Sequence, residues 1–128
     1  IRNCLVGSEM CIRDRINEYQ TRPSVLTPLW NGAGFMLGAV TAAMGPKAAM
    51  ACTIAVEEVI GEHYREQAET LDDSEAELRA TLRQFRDEEL EHRDTAIDHD
   101  GEDAVGYPVL RQIISTGCRT AIKLAEKI

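Results

Sequence analysis

A carboxylate and an imidazole occupy positions where a core-facing helix would carry apolar side chains. Between Glu75 and Asp100, positions spaced alternately four and three apart keep one helix face toward a core: Leu78, Leu82, Phe85, Glu89, His92, Ala96 and His99. A buried carboxylate is costly unless it is paired or binds a metal ion. Glu89 and His92 are three residues apart, so both side chains point the same way. Inward Glu-x-x-His on a bundle helix is a pattern that binds paired iron ions.

A second inward acid lies on the preceding helix, where Thr53, Glu57, Ile60, Tyr64 and Leu71 form a stripe at helical spacing. We interpret Glu57 as a further metal ligand, with a core carboxylate paired to an arginine as the alternative. His63 lies on the side of Val56 and Val59. For this residue, a core histidine whose ring is hydrogen-bonded is favoured over a metal ligand. His99 lies two turns beyond His92 and is expected outside the site.

The elements that position these residues are all predicted to be helices. The spacing of apolar residues and the positions of helix-breaking residues predict four helices: Leu29–Gly45, Lys47–Leu71, about Glu75–Asp98 and about Ala104–Lys127. Ser74 followed by Glu77 predicts a capping box at the start of the third of these helices. No stretch alternates apolar and polar residues for long, so strands are not expected, and the predicted fold class is all-α.

Composition narrows the class of protein further. The chain has 128 residues and a net charge of −8, which argues against nucleic acid as a partner. Cys52 and Cys118 lie among apolar residues, and none of the four cysteines forms a C-x-x-C pair, so buried free thiols in a reducing compartment are expected. Residues 1–15 have no clean period, and we expect them to be a non-native leader before a domain at 16–128.

The segment Leu29–Gly45 carries no charged residue and is interrupted by Gly32, Gly34 and Gly38. Three interpretations remain open for it: a buried core helix, a helix in a membrane interface, or a membrane span, for which seventeen residues are slightly short of about 20. In the last helix, Arg119, Lys123 and Lys127 form a basic stripe. A solvated face is its default interpretation, and contact with an anionic membrane surface is the alternative.

Four runs in the same order resemble the demethoxyubiquinone hydroxylase family of ubiquinone biosynthesis. They are RPSVLTPLWNGAGFMLGA, AAMACTIAVEEVIGEHY, FRDEELEHRDTAIDHD and VLRQIISTGCRTAIKLAEKI. The resemblance covers about residues 16–128. It implies a ferritin-like antiparallel helical bundle, two iron ions per complete site, and oxygen-dependent hydroxylation of a quinone ring. It also implies a peripheral protein of the bacterial cell membrane or the mitochondrial inner membrane.

The resemblance assigns roles residue by residue. Glu57, Glu89 and His92 match the family's iron ligands, while His63 and Tyr64 match a pair associated with a path for protons or electrons. The uncharged helix matches the part that meets the membrane and the quinone tail, and this raises the interfacial interpretation above the core one. Its expected contact residues are Leu29, Trp30, Phe35, Met36 and Leu37. Electrons would come from NAD(P)H or a reductase, although no Rossmann motif is present.

The chain departs from the family pattern in one respect, and this leaves alternative functions open. The family's other three ligands, on two earlier helices, have no counterpart here, so we expect an incomplete bundle holding three of six ligands. A catalytically silent helical module that self-associates or touches a membrane is therefore an alternative function. A homodimer that rebuilds the site, or a complex of ubiquinone biosynthesis, is a possible partner arrangement. A ferritin-like iron-handling protein is the third interpretation.

Overall fold

Four long helices make up most of the chain in this computed structural model, which describes residues 14–128. They are α1 (Thr27–Ala43), α2 (Pro46–Thr70), α3 (Ala76–Asp98) and α4 (Tyr107–Lys127). Residues 14–18 are also helical, and no strand occurs between residues 14 and 128. The expected all-α class is confirmed. Most of the predicted leader, residues 1–13, lies outside the described residues, so its assignment as non-native stays a prediction.

Helices α2 and α3 form an antiparallel hairpin because only a short connection separates them. A 3₁₀ turn at Asp73–Glu75 leads into α3, and Glu75 is the residue that precedes the helix. The predicted capping box is wrong, since Ser74 lies inside this turn and no side chain caps α3. The Arg79 guanidinium instead donates to the carbonyl oxygen of Leu71 and lies 3.4 Å from Asp73.

Helix α2 is the central element, and α1, α3 and α4 all pack against it. As the sequence predicts, no residue from Ala48 to Ile60 is exposed. Small side chains let neighbouring helices approach closely: a Cβ on Gly61 would meet Leu90 of α3 at 3.4 Å. Where α1, α2 and α4 meet, side chains of all three helices form a core cluster: Leu37, Cys52, Ala55, Val56, Leu110, Ile114 and Cys118. Cys52 and Cys118 are free thiols, as expected.

The start of α4 differs from the prediction by three residues. A 3₁₀ turn at Gly101–Asp103 precedes it, and Gly106 adopts a left-handed φ of 72°. A helix cannot run through a left-handed residue, so α4 starts at Tyr107 and not near Ala104. Gly101 lies tight against α2, because an added Cβ would fall 2.6 Å from the Cδ1 atom of Ile54.

Helix α1 is not a buried core helix, so that interpretation of the uncharged segment is wrong. Leu29, Phe35 and Met36 are exposed, with Phe35 at 76 %. Trp30 and Leu37 are half-buried, and Leu37 packs on the core cluster. Across the described residues, no helix is both long enough and apolar enough to cross a membrane.

Candidate metal centre

The α2–α3 hairpin brings the three predicted ligands together. Glu57 comes from α2, while Glu89 and His92 come from α3. One donor atom of each residue lies within 4.8 Å of the other two. The Nδ1 atom of His92 lies 3.3 Å from the Oε2 atom of Glu89. The helical stripes proposed from the sequence therefore face each other across this hairpin.

The carboxyl groups of Glu57 and Glu89 are partly shielded from solvent. The Glu89 side chain is 15 % exposed, whereas His92 is 64 % exposed and borders solvent. The pKa of Glu57 rises from 4.5 to about 8, first because of burial and then because of the hydrogen bond and the negative charge of Glu89. Burial and the neighbouring carboxylate therefore favour the protonated form of Glu57 more than in a solvated glutamate.

The donor set fits a divalent metal ion of the iron type. Two carboxylates and one imidazole are donors that such ions accept. The Oε2 atom of Glu57 is buried and has no hydrogen-bond partner. A buried oxygen without a partner is costly in the metal-free protein, and a bound cation would satisfy it while replacing the proton.

The alternative interpretation, that Glu57 is a core carboxylate paired with an arginine, is wrong. Among the ion pairs of residues 14–128, none involves Glu57. The nearby Glu58, one residue along α2, is the one that pairs with an arginine, with the Nη2 atom of Arg111 at 2.6 Å. This split follows from helix geometry, since consecutive residues point in different directions.

His63 and Tyr64 lie on different faces of α2. The Tyr64 ring packs on Phe85 of α3, with ring centroids 5.8 Å apart. Burial, followed by the negative charges of Glu89 and Glu57, raises the pKa of the Tyr64 hydroxyl. The Nδ1 atom of His63 lies 3.9 Å from Glu126 of α4, and His63 is outside the ligand cluster. The negative charges of Glu57 and Glu89 thus act on Tyr64, whereas His63 faces α4.

One contact of the site, between Phe85 and Tyr64, was not expected from the sequence. Phe85 is buried and forms the wall against which Tyr64 rests. The signal was present, because Phe85 precedes Glu89 by four residues on the same stripe. Its partner on α2, Tyr64, could be identified only from the packing of the two helices.

Comparison with known proteins shows the family to which the chain belongs. The family described as ubiquinone biosynthesis protein COQ7 matches residues 9–125 of the chain. The chain belongs to this family. A COQ7 relative from Mus musculus, named NADPH-dependent 3-demethoxyubiquinone 3-hydroxylase, mitochondrial, is 52% identical over 113 residues, which are 85% of this chain and 52% of that protein.

Two further COQ7 relatives come from other groups of organisms. The 3-demethoxyubiquinol 3-hydroxylase of Rhodospirillum rubrum is 47% identical over 113 residues, 88% of this chain and 53% of the relative. The 5-demethoxyubiquinone hydroxylase, mitochondrial, of Saccharomyces cerevisiae is 48% identical over 124 residues, 85% of this chain and 53% of the relative. The chain thus spans about half the length of the curated relatives it matches, and the expected family resemblance is confirmed.

Proposed function

We propose that this protein acts as a demethoxyubiquinone hydroxylase, an oxygen-dependent monooxygenase that adds a hydroxyl group to the quinone ring in ubiquinone biosynthesis. The observation that carries this proposal is the cluster of Glu57, Glu89 and His92, whose donors converge within 4.8 Å. Membership of the COQ7 family and the hydroxylase names of its relatives support the reaction class.

In this proposal, Glu57, Glu89 and His92 hold iron, which would supply the reductive activation of oxygen that ring hydroxylation needs. The side chains of the hairpin preorganise this site. The hairpin holds the two carboxyl groups against each other, so loss of the Glu57 proton accompanies metal binding. Tyr64, kept in its hydroxyl form by its raised pKa, adjoins these carboxylates as a proton donor. Its ring is steadied by Phe85.

We propose NADPH or a reductase as the source of electrons, and the names of several relatives describe those proteins as NADPH-dependent. We propose His63 and Tyr64 as the relay residues suggested by the family resemblance, with separate parts. Tyr64 lies within the electrostatic influence of Glu57 and Glu89, while His63 lines a groove between α2 and α4 together with Arg119 and Lys123.

The proposed substrate is a long-chain quinone, and the proposed surface for its tail is α1. Phe35, Met36 and Leu29 expose their apolar side chains there, and large exposed apolar patches mark binding surfaces. The same surface would hold the protein peripherally on the bacterial cell membrane or the mitochondrial inner membrane. We also propose a homodimer or a complex of ubiquinone biosynthesis as the assembly.

Anaerobic ferrous iron titration of the purified chain, followed by mass determination, tests the metal assignment. We expect iron to bind and to be lost in Glu89→Gln, because the side chain then offers no anionic ligand. Glu88→Gln is the matched control, since its neighbouring carboxylate lies outside the cluster. Equal iron content in both variants would contradict the assignment.

The reaction is tested separately by incubating the iron-loaded chain with a demethoxyquinone, a reductant and oxygen. A hydroxylated product that depends on Glu89 supports the enzyme. Iron binding and release without any product would instead favour the iron-handling interpretation. A chain that neither binds iron nor forms product would favour the silent helical module.

The α1 surface is tested by sedimentation with phospholipid vesicles. Phe35→Ser should weaken vesicle binding and leave thermal stability nearly unchanged, because the side chain is 76 % exposed. Val105→Ser is the control, since Val105 is also exposed but lies in the connection before α4. If both variants sediment like the unchanged protein, α1 is not the contact surface.

A further inference from the structure

The ligand face of the α2–α3 hairpin, which carries Glu57, Glu89 and His92, is not covered by α1 or α4. Both of those helices pack against the side of α2 that carries Cys52 and Ala55, and neither packs against α3 to a comparable extent. Ala55 is 0 % exposed there. On the ligand face, by contrast, four large apolar side chains are only half-buried: Ile60, Leu71, Leu78 and Leu82. The ligand face is therefore open to a partner.

The donors on the ligand face are half of the set that binds paired iron ions. Such a site in a helical bundle takes a Glu from each of two helices and a Glu-x-x-His pair from each of two others. The hairpin supplies one Glu, Glu57, and one such pair, Glu89 and His92. The Oε2 atom of Glu57 is buried without a hydrogen-bond partner, while His92 is exposed on the open side. The same three residues of a second copy would complete the set.

The position of the metal centre along the hairpin suits a symmetric pair. Glu57 lies near the middle of α2 (Pro46–Thr70), and Glu89 lies near the middle of α3 (Ala76–Asp98). A two-fold axis through the centre places the same surface of each copy against the other. Two hairpins paired in this way overlap along nearly their whole length and form a four-helix bundle. A centre near one end of the hairpin would instead leave half of each face uncovered.

The area of the ligand face is large enough for a stable dimer. Helix α2 has 25 residues, which correspond to a length of about 37 Å. Two helices packed about 9 Å apart present a face about 19 Å wide. Each copy would therefore bury about 700 Å², or about 1,400 Å² for the pair, which lies within the range of about 1,200–2,000 Å² for stable interfaces.

The charge of the ligand face makes this pairing depend on metal. Two copies bring four carboxylates close together, Glu57 and Glu89 of each, and like charges repel strongly where water is partly excluded. Bound cations remove this repulsion. Iron binding and association should therefore strengthen each other by the same factor, because linkage between two binding events is reciprocal.

We propose that a second copy of this chain docks on the ligand face and that the two copies share one site for paired iron ions. Glu57, Glu89 and His92 of each copy are its ligands, and the half-buried apolar side chains around them form the interface. The proposal rests on the proposed function, from which it takes these residues as iron ligands. It adds the partner and the surface through which that partner binds.

Sedimentation velocity under anaerobic conditions, with a chelator or with ferrous iron, tests the proposal. We expect iron to lower the Kd of dimerisation at least about tenfold, and the dimer to contain a pair of iron ions. Leu82→Ser should raise that Kd at least about tenfold, because each dimer loses two apolar side chains from its interface. Ile113→Ser is the matched control, since Ile113 is exposed on α4, away from the ligand face. Circular dichroism checks that each variant is folded.

Failure of this proposal and failure of the iron assignment give different results. A monomer that binds iron through Glu89 would overturn the shared site and leave the iron assignment in place. A chain that neither binds iron nor associates would overturn both. A dimer that forms equally well with chelator, or that Ile113→Ser weakens and Leu82→Ser does not, would place the interface elsewhere and overturn the proposal. If Leu82→Ser weakens binding to phospholipid vesicles and not dimerisation, the ligand face contacts a membrane and the proposal is wrong.

Discussion

Replacing Glu57 by glutamine tests the electrostatics of the metal centre most directly. In the folded protein the pKa of Glu57 is about 8, against 4.5 for a solvated glutamate. Between these values the folded state binds more protons than the unfolded chain, so the free energy of unfolding falls as the pH rises. The stabilising contribution of Glu57 is complete below pH 4.5 and is lost as the pH rises through about 8.

The size of this effect follows from the pKa shift. One pKa unit corresponds to about 1.36 kcal/mol, so the full shift sets an upper bound of about 5 kcal/mol. Glu57 is only partly buried, and solvent screening reduces the expected loss to about 2–3 kcal/mol. Glu57→Gln has a similar shape but does not titrate. Its stability advantage over the metal-free unchanged protein should therefore grow by about 2–3 kcal/mol between about pH 5 and about pH 8.5.

Urea unfolding with a chelator, followed by circular dichroism at several pH values, measures this difference. Glu66→Gln is the matched control, because Glu66 is exposed on the same helix and lies outside the ligand cluster. Adding ferrous iron at about 100 times its Kd should stabilise the unchanged protein by about 2.7 kcal/mol and leave Glu57→Gln unaffected. A stability difference independent of pH, or equal stabilisation of both proteins by iron, would refute the reasoning.

Two further predictions separate packing from ligand chemistry. Gly101→Ala should destabilise the protein by about 1–3 kcal/mol in urea unfolding, since its Cβ would fall 2.6 Å from Ile54. Gly117→Ala, with nothing within 4 Å, should be neutral or stabilising, so equal losses would contradict this packing argument. His92→Ala should abolish iron binding in the ferrous titration while changing metal-free stability by less than about 0.5 kcal/mol, because the ring is 64 % exposed. His99→Ala should retain iron, and loss of iron in both would show that the effect is not local.

Much of the centre could be predicted from the sequence because its geometry is local. Glu89 and His92 are three residues apart on one helix, so their common direction needs no tertiary information. The partnership with Glu57 needed only a short turn between two long helices. The capping box failed for an equally local reason, because a 3₁₀ turn took Ser74 out of the capping position.

Longer-range features required the folded chain. The raised pKa of Glu57 depends on how close Glu89 comes from another helix, and no spacing within α2 encodes that approach. The ion pair between Arg111 and Glu58 joins residues 53 positions apart in the sequence, and no motif links them. Exposure of Phe35 could not be predicted from the apolar composition of α1, because burial depends on which surfaces its neighbours leave free.

The sequence by itself therefore determined the helices and which side chains share each helix face, because a period of 3.6 residues acts within a few turns. Only the tertiary structure decided which faces meet, which stay open and how strongly charges on different helices influence one another. Those quantities depend on distances between residues far apart in the chain, and Coulomb energy and desolvation change steeply with such distances.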